Sequence, residues 1–182
     1  MIRAITFDLW DTIVIDNSDE PKRATQGLLS KPEARIELFV AEVRAHHFEI
    51  GRERSVAAYN HATNQFNYWW KMEHRTPSVM TRLEAAFAQL EIPPTPGVNQ
   101  LVHALENMEV EIPPDLAPGI RSCLDTLHGT YSLGIISDAI VTPGTGLRKI
   151  LEHHGLLHYF DHFLFSDEVG AAKPSAAVFR RA

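Results

Sequence analysis

The sequence has 182 residues, 45% hydrophobic and 22% charged, the make-up of a folded globular protein with room for one core and a subsidiary lobe; it excludes a disordered chain. Seventeen Lys and Arg against twenty-three Asp and Glu give a net charge of −6, so no general attraction to nucleic acid or an anionic membrane is expected. The single cysteine, Cys123, cannot close an internal disulfide, which points to a reducing, cytoplasmic setting.

The opening M-I-R-A-I-T-F-D reaches an acid too early for a secretory leader, and no apolar run is long enough to span a bilayer. Residues 2–7 mix β-branched and aromatic side chains and predict a short buried strand. The polar segment D-N-S-D-E-P-K-R then breaks the pattern. From about Lys31 to Leu90 the chain reads as helical: Ile36, Phe39, Val40 and Val43 recur at helical spacing, and so do Met80, Leu83, Phe87 and Leu90. Between them the aromatic-rich stretch around Phe66, Tyr68, Trp69 and Trp70 predicts a further helix, whose aromatics are expected in the core. I-P-P-T-P-G at 92–97 stops the pattern, and Val98 to Met108 predicts another helix. I-P-P-D-L-A-P-G at 112–119 is the clearest boundary, because prolines deny both helix and central strand.

Beyond it the texture changes. Ile120 to Leu127 predicts a helix, H-G-T a turn, and S-L-G-I-I-S at 132–137 a buried strand. Leu147 to His154 predicts a helix closed by Gly155. His162 to Phe165 predicts a third strand, followed by S-D-E-V-G-A-A-K-P as a loop and a new helix opening at Ser175. Strands alternating with helices indicate a parallel sheet, with the all-helical stretch inserted after the first strand. The expected fold class is therefore α/β, a Rossmann-like parallel core with three strands present, in two pieces (1–15 and 115–182), and a helical insertion over 16–114.

Parallel strands bring their C-terminal ends to one edge, where open α/β sheets bind ligands. Asp8 and Asp11 follow strand one, Ser137 and Asp138 strand two, and Lys173 strand three. A carboxylate, a hydroxyl and an ammonium at one rim are the parts that nucleophilic displacement and phosphoryl transfer use. Each alone has a plainer reading: Asp8 as a strand-end cap, Ser137 as a turn residue, Lys173 as a solvated loop charge. The adjacent pairs His46–His47 and His153–His154 do not share a helix face and make poor metal sites. H-F-E at 47–49 lacks the second cysteine pair that a deaminase zinc site requires, and P-G-T-G-L-R at 143–148 fits neither nucleotide-binding glycine pattern.

Taken in order, F-D-L-W-D-T, I-I-S-D-A and F-S-D-E-V-G-A-A-K-P-S resemble the first three motifs of the haloacid dehalogenase-like hydrolase superfamily. The resemblance implies that Asp8 is the nucleophile, that Ser137 binds the transferred group, and that Lys173 offsets charge at the nucleophile. It places Leu9, Trp10, Thr12 and Asp138 around a small-molecule substrate, makes 16–114 a substrate-selecting cap, and makes Asp8 a ligand of Mg²⁺ in the phosphatase form. One departure stands out. The phosphatase motif carries its second acid at position three, which is Trp10 here, while Asp11 stands at position four. Extended residues two apart share a face and residues three apart do not, so Asp11 replaces that acid only if the chain bends.

A phosphatase needs its leaving oxygen protonated and a cation to bring two anions together. Dehalogenation needs neither, and the superfamily's dehalogenases tend to carry an aromatic or other non-acidic residue at position three, which Trp10 fits loosely, although they commonly follow the serine with asparagine rather than Asp138. The expectation is hydrolysis through a covalent aspartyl-enzyme: phosphatase-type by the weight of the superfamily, with Mg²⁺, or dehalogenase-type without a cofactor. A non-catalytic binding protein of the same fold stays open beside them. The family's fourth, acidic motif follows a further strand that this sequence does not reach, so a fragment is expected; without that strand residues 2–7 form an open edge, which favours a homo-oligomer.

Overall fold

A computed structural model describes residues 2–180. Strand β1 (Ala4–Phe7) pairs in parallel with β2 (Ser132–Ser137), which pairs in parallel with β3 (His162–Phe165), in the order β1-β2-β3. The central strand is apolar on both faces and almost entirely buried, as a strand covered on both sides must be, whereas β1 alternates exposed and half-buried residues. The register sets Phe7 against Ile135 and Ser137 against Phe165, so the three strands end at one edge.

The helical block between β1 and β2 holds α1 (Glu20–Thr25), α2 (Lys31–His46), α3 (Arg52–Glu73), α4 (Val79–Gln89) and α5 (Val98–Glu111). Helix α1 corrects the expectation of a break across 16–23. Pro21 in its first turn, Glu20 at its N-terminus and Lys22 and Arg23 at its end suit a short helix that polarity alone hides. Helix α2 opens with a full capping box, Ser30 accepting from the Glu33 N–H while the Glu33 carboxylate accepts from Ser30. The long α3 stops at His74, which turns into the left-handed region. Behind β1 and β2 come α6 (Ile120–Leu127), α7 (Gly144–His153), a 3-10 turn (Leu157–Tyr159), α8 (Ser166–Val169) and α9 (Ala176–Phe179). Helix α8 stands where a plain loop was expected. Helix α7 begins three residues earlier than its apolar pattern suggests. Gly144 sits so close to α8 that a Cβ there would lie 2.6 Å from Glu168, and its N–H donates to the Asp167 carboxylate at 3.0 Å. That carboxylate takes up one of the free N–H groups at the helix start.

Two hydrophobic clusters divide the molecule. One gathers Leu9, Ile13, Val14, Leu124, Leu133, Ile135, Leu147, Ile150 and Phe165 around the sheet. The other gathers Phe39, Tyr59, Leu83, Phe87, Leu101 and Leu105 inside the helical block. The two crossings between these halves run side by side: Ile15 N–H donates to the Asp115 carbonyl at 2.8 Å, and Ala117 N–H to the Ile13 carbonyl at 2.9 Å. Lys22 clamps the second crossing through the Asp115 carboxylate at 2.7 Å and the Pro113 carbonyl at 2.6 Å. Among the described residues no helix is long and apolar enough to cross a membrane.

Candidate active site

The strand ends meet as the topology requires. The Asp8 carboxylate leaves β1 and accepts from the Lys173 ammonium at 2.7 Å through Oδ2 and from the Leu9 N–H at 2.8 Å through Oδ1. Its side chain keeps 43% exposure, so an electrophile can still reach it. Lys173 also fixes the end of β2, because its backbone N–H donates to Asp138 Oδ1 at 2.9 Å. Ser137 is buried beside Asp138 and its hydroxyl has no hydrogen-bond partner among the described residues. A buried hydroxyl left without a partner is costly in a finished core, and it is the state expected of a group that meets a ligand. Next to it Ser166, the first residue after β3, accepts from the Ala139 N–H at 2.8 Å and from the Thr76 hydroxyl at 2.6 Å, pinning the β2 exit loop to the chain beyond α3.

The residues after Asp8 coil at once. The N–H groups of Ile13 and Val14 both reach back to the Leu9 carbonyl, at 2.8 and 3.1 Å. Asp11 takes a positive φ of 53°, and its carboxylate accepts from the Asp16 N–H at 2.9 Å, on the exposed side of the turn. The chain does bend, but Asp11 uses the bend to close its own loop. Leu9 corrects the expectation of a substrate contact: its side chain is fully buried in the sheet's core, and only its N–H serves the site. Thr12 lies exposed in the same turn. Trp10 stands half-buried and lines a cleft.

That cleft, about 330 Å³, lies between the exit of β1 and the helical block and is lined by Trp10, Lys31, Arg35, Trp70, Glu109, Ile140 and Thr142, among others. Trp70 corrects the expectation that the aromatics of α3 are core. Phe66 is core, but Trp70 is half-buried and its indole N–H donates to Asp138 Oδ2 at 2.9 Å, so both Asp138 oxygens are occupied. Lys31 is buried between Asp19, at 2.8 Å, and Glu109, at 3.0 Å, and Thr142 donates to the other Glu109 oxygen at 2.6 Å. Burial alone would lower the Lys31 pKa, but the Glu109 and Asp19 carboxylates outweigh it and hold the value above the ordinary one. Arg82, buried with its guanidinium 3.7 Å from the Phe66 ring, donates to the Ile140 carbonyl at 2.7 Å. Burial pushes its pKa down to about 10, which leaves it a cation at neutral pH.

Sequence reasoning missed Lys31, Arg35 and Arg82, and it weighed Trp70 as a pocket residue before placing it in the core. The available signal was slight: an indole in a polar helix must find an acceptor when it is half-buried. The residues present do not suit Mg²⁺. Among the described residues no three His, Cys, Asp or Glu side chains gather to hold a metal. Asp8 is shared between Lys173 and a backbone N–H, and position three offers an indole in place of a carboxylate. The paired histidines hold structure: His154 donates through Nε2 to the Pro114 carbonyl at 2.8 Å, and its ring stands perpendicular to that of His153.

A sequence model of the haloacid dehalogenase-like hydrolases matches residues 2–182. Pyrimidine 5′-nucleotidase YjjG of Escherichia coli strain K12 is 34% identical over 99 residues, which is 54% of this chain and 40% of the nucleotidase. The aligned stretch thus spans well under half of that relative's length. Among solved structures, a HAD phosphatase from Thermococcus onnurineus superposes on all of this chain and 70% of its own, with a TM-score of 0.58 and 19% identity. A 2-haloacid dehalogenase from Pseudomonas syringae pv. Tomato DC3000 superposes on all of this chain and 71% of its own, with a TM-score of 0.58 and 18% identity. At such identities the two structures establish the fold.

Proposed function

The chain belongs to the haloacid dehalogenase-like hydrolases, and on that premise we propose that it hydrolyses a small molecule through a covalent intermediate on Asp8. The observation that carries this reading is the contact between the Asp8 carboxylate and the Lys173 ammonium at 2.7 Å, beside the unpartnered Ser137 hydroxyl. Lys173 orients Asp8 and relieves the repulsion that an anionic nucleophile meets at an anionic substrate. Ser137 donates to the group being transferred. Residues 16–114 act as the cap that closes the cleft, and 1–15 with 115–182 as the catalytic core.

Trp10 favours displacement at carbon, as in a dehalogenation. An indole cannot protonate a leaving oxygen, and halide departs without a proton. In that reaction an Asp8 oxygen attacks carbon, the carbon–halogen bond breaks to release halide, and water then adds at the carboxyl carbon of the ester to free the alcohol. The Asp138 charge, held by Trp70 and Lys173, is already balanced by donors before a substrate anion arrives. A second reading, a phosphomonoesterase, is favoured by the nucleotidase relative. There an Asp8 oxygen attacks phosphorus, the P–O bond to the alcohol breaks with solvent protonating the leaving oxygen, and water then attacks phosphorus to release phosphate, so that Asp8 recovers its own oxygen.

Turnover in ¹⁸O-water separates the two readings. Displacement at carbon leaves ¹⁸O in the peptide that contains Asp8, whereas phosphoester hydrolysis puts it only into phosphate. Activity that survives Asp8→Asn would overturn both.

A further inference from the structure

The cleft between cap and core carries one cation whose hydrogen-bonding capacity is unused. Arg35, on α2, has five N–H donors. Among the described residues its charged contact is a loose one, 3.6 Å to Glu109 Oε1, an oxygen that already accepts from Lys31 at 3.0 Å. Its Nε is buried without any partner. Lys31 differs, because Asp19 and Glu109 both hold it; Arg82 shares a buried Nε without a partner among the described residues, but it donates to Ile140 through another nitrogen and lies over Phe66. The cations in and behind this wall are Lys31, Arg35 and Arg82; the buried acids facing them are Asp19 and Glu109. Asp16, also on the cleft, is exposed and screened by water. Two indoles, Trp10 from the core and Trp70 from the cap, line the same space, together with Ile140. The volume, about 330 Å³, is that of a site for a compact small molecule.

We propose that this cleft selects a small molecule with a flat, aromatic body bearing an anionic group, the flat part resting against Trp10 and Trp70 and the anion, a carboxylate or a phosphate, received by the Arg35 guanidinium. The proposal deepens the hydrolase reading and names the substrate class of that site. A planar guanidinium fork suits either oxyanion, and indole faces suit any flat ring. Arg35 is thus a specificity residue: it touches the end of the substrate that does not react.

The test uses binding, so that it does not depend on catalysis. In the Asp8→Asn chain, calorimetry and tryptophan quenching are measured with benzoate, phenyl phosphate, benzyl alcohol, acetate and inorganic phosphate. At least one of the two aromatic anions should bind roughly tenfold or more tightly than benzyl alcohol and than its own small anion. Which of them does so identifies the oxyanion. Arg35→Gln should abolish the advantage over benzyl alcohol, and Arg35→Lys should keep part of it, at any ionic strength where the chain remains folded by circular dichroism. Trp70→Phe should retain aromatic binding and Trp70→Leu should lose it. Equal affinity for benzyl alcohol and both aromatic anions, or affinity unchanged in both Arg35→Gln and Arg35→Lys, overturns the proposal. Selective binding with no turnover in the parent chain would instead remove the hydrolase reading and leave this one standing.

Discussion

Two lysines hold two aspartates at nearly the same distance, and they serve different ends. Lys173 meets Asp8 at 2.7 Å at the rim of the sheet, where the two side chains keep 26% and 43% exposure. Lys31 meets Asp19 at 2.8 Å inside the helical block, where the two keep 3% and 0%. Coulomb's law gives similar attraction for similar geometry, so burial is what separates them. At the rim, water screens the pair and a ligand can reach either partner; the contact orients the proposed nucleophile and adds little to stability. In the interior the charges have lost their water and are compensated by each other, by Glu109, by Thr142 and, more loosely, by Arg35. Removing one member of that network leaves a buried charge without its partner.

Substitutions can break this contrast, and the largest effect belongs to the rim. Asp8→Asn should lower turnover by roughly 10³-fold or more, the usual loss when a covalent nucleophile is removed, while the unfolding midpoint stays near that of the parent. The interior comes next. Lys31→Met should cost about 3–5 kcal/mol in urea unfolding, because it leaves Asp19 and Glu109 buried without their cation. A cost below about 1 kcal/mol would mean that this pair behaves like the one at the rim. Lys173→Met should slow turnover by about 10²-fold through lost charge compensation at Asp8.

A pH series sharpens the comparison further. The folded-state pKa of Lys31 is raised, so its contribution to stability is fully present below the ordinary lysine value of 10.5 and is lost as pH climbs through the raised one. Arg82 works the other way. Its pKa is depressed to about 10, so stability tied to it rises as the pH passes that value. Subtracting the Lys31→Met curve from the parent curve cancels the Arg82 part, and the remainder should shrink only above pH 10.5. The smallest effect closes the set: Lys173→Met should change stability by less than about 1 kcal/mol, checked by the same urea unfolding.

The rim was legible in the sequence and the cleft was not, for a physical reason. Once strands are parallel, their C-terminal ends share an edge, so Asp8, Ser137, Asp138 and Lys173 could be placed together from order alone. Sequence also marked α2 through the helical spacing of Ile36, Phe39, Val40 and Val43, and the 112–119 boundary through its prolines. It could not place Arg35 or Trp70, whose direction depends on how α2 and α3 pack against one another and against the β2 exit loop. A helix pattern tells which stripe is apolar, and both residues sit beside that stripe rather than in it. The side chain of Leu9 went astray by the same ambiguity. Beside a catalytic residue the chain turns sharply, and strand alternation no longer says which way a side chain faces.

The most direct measurement is rapid quenching of the chain during turnover, followed by the mass of the peptide that contains Asp8. An acyl phosphate or an alkyl ester on that peptide, absent in Asp8→Asn, is the expected result. Product formation at full rate with that peptide never modified would contradict the account.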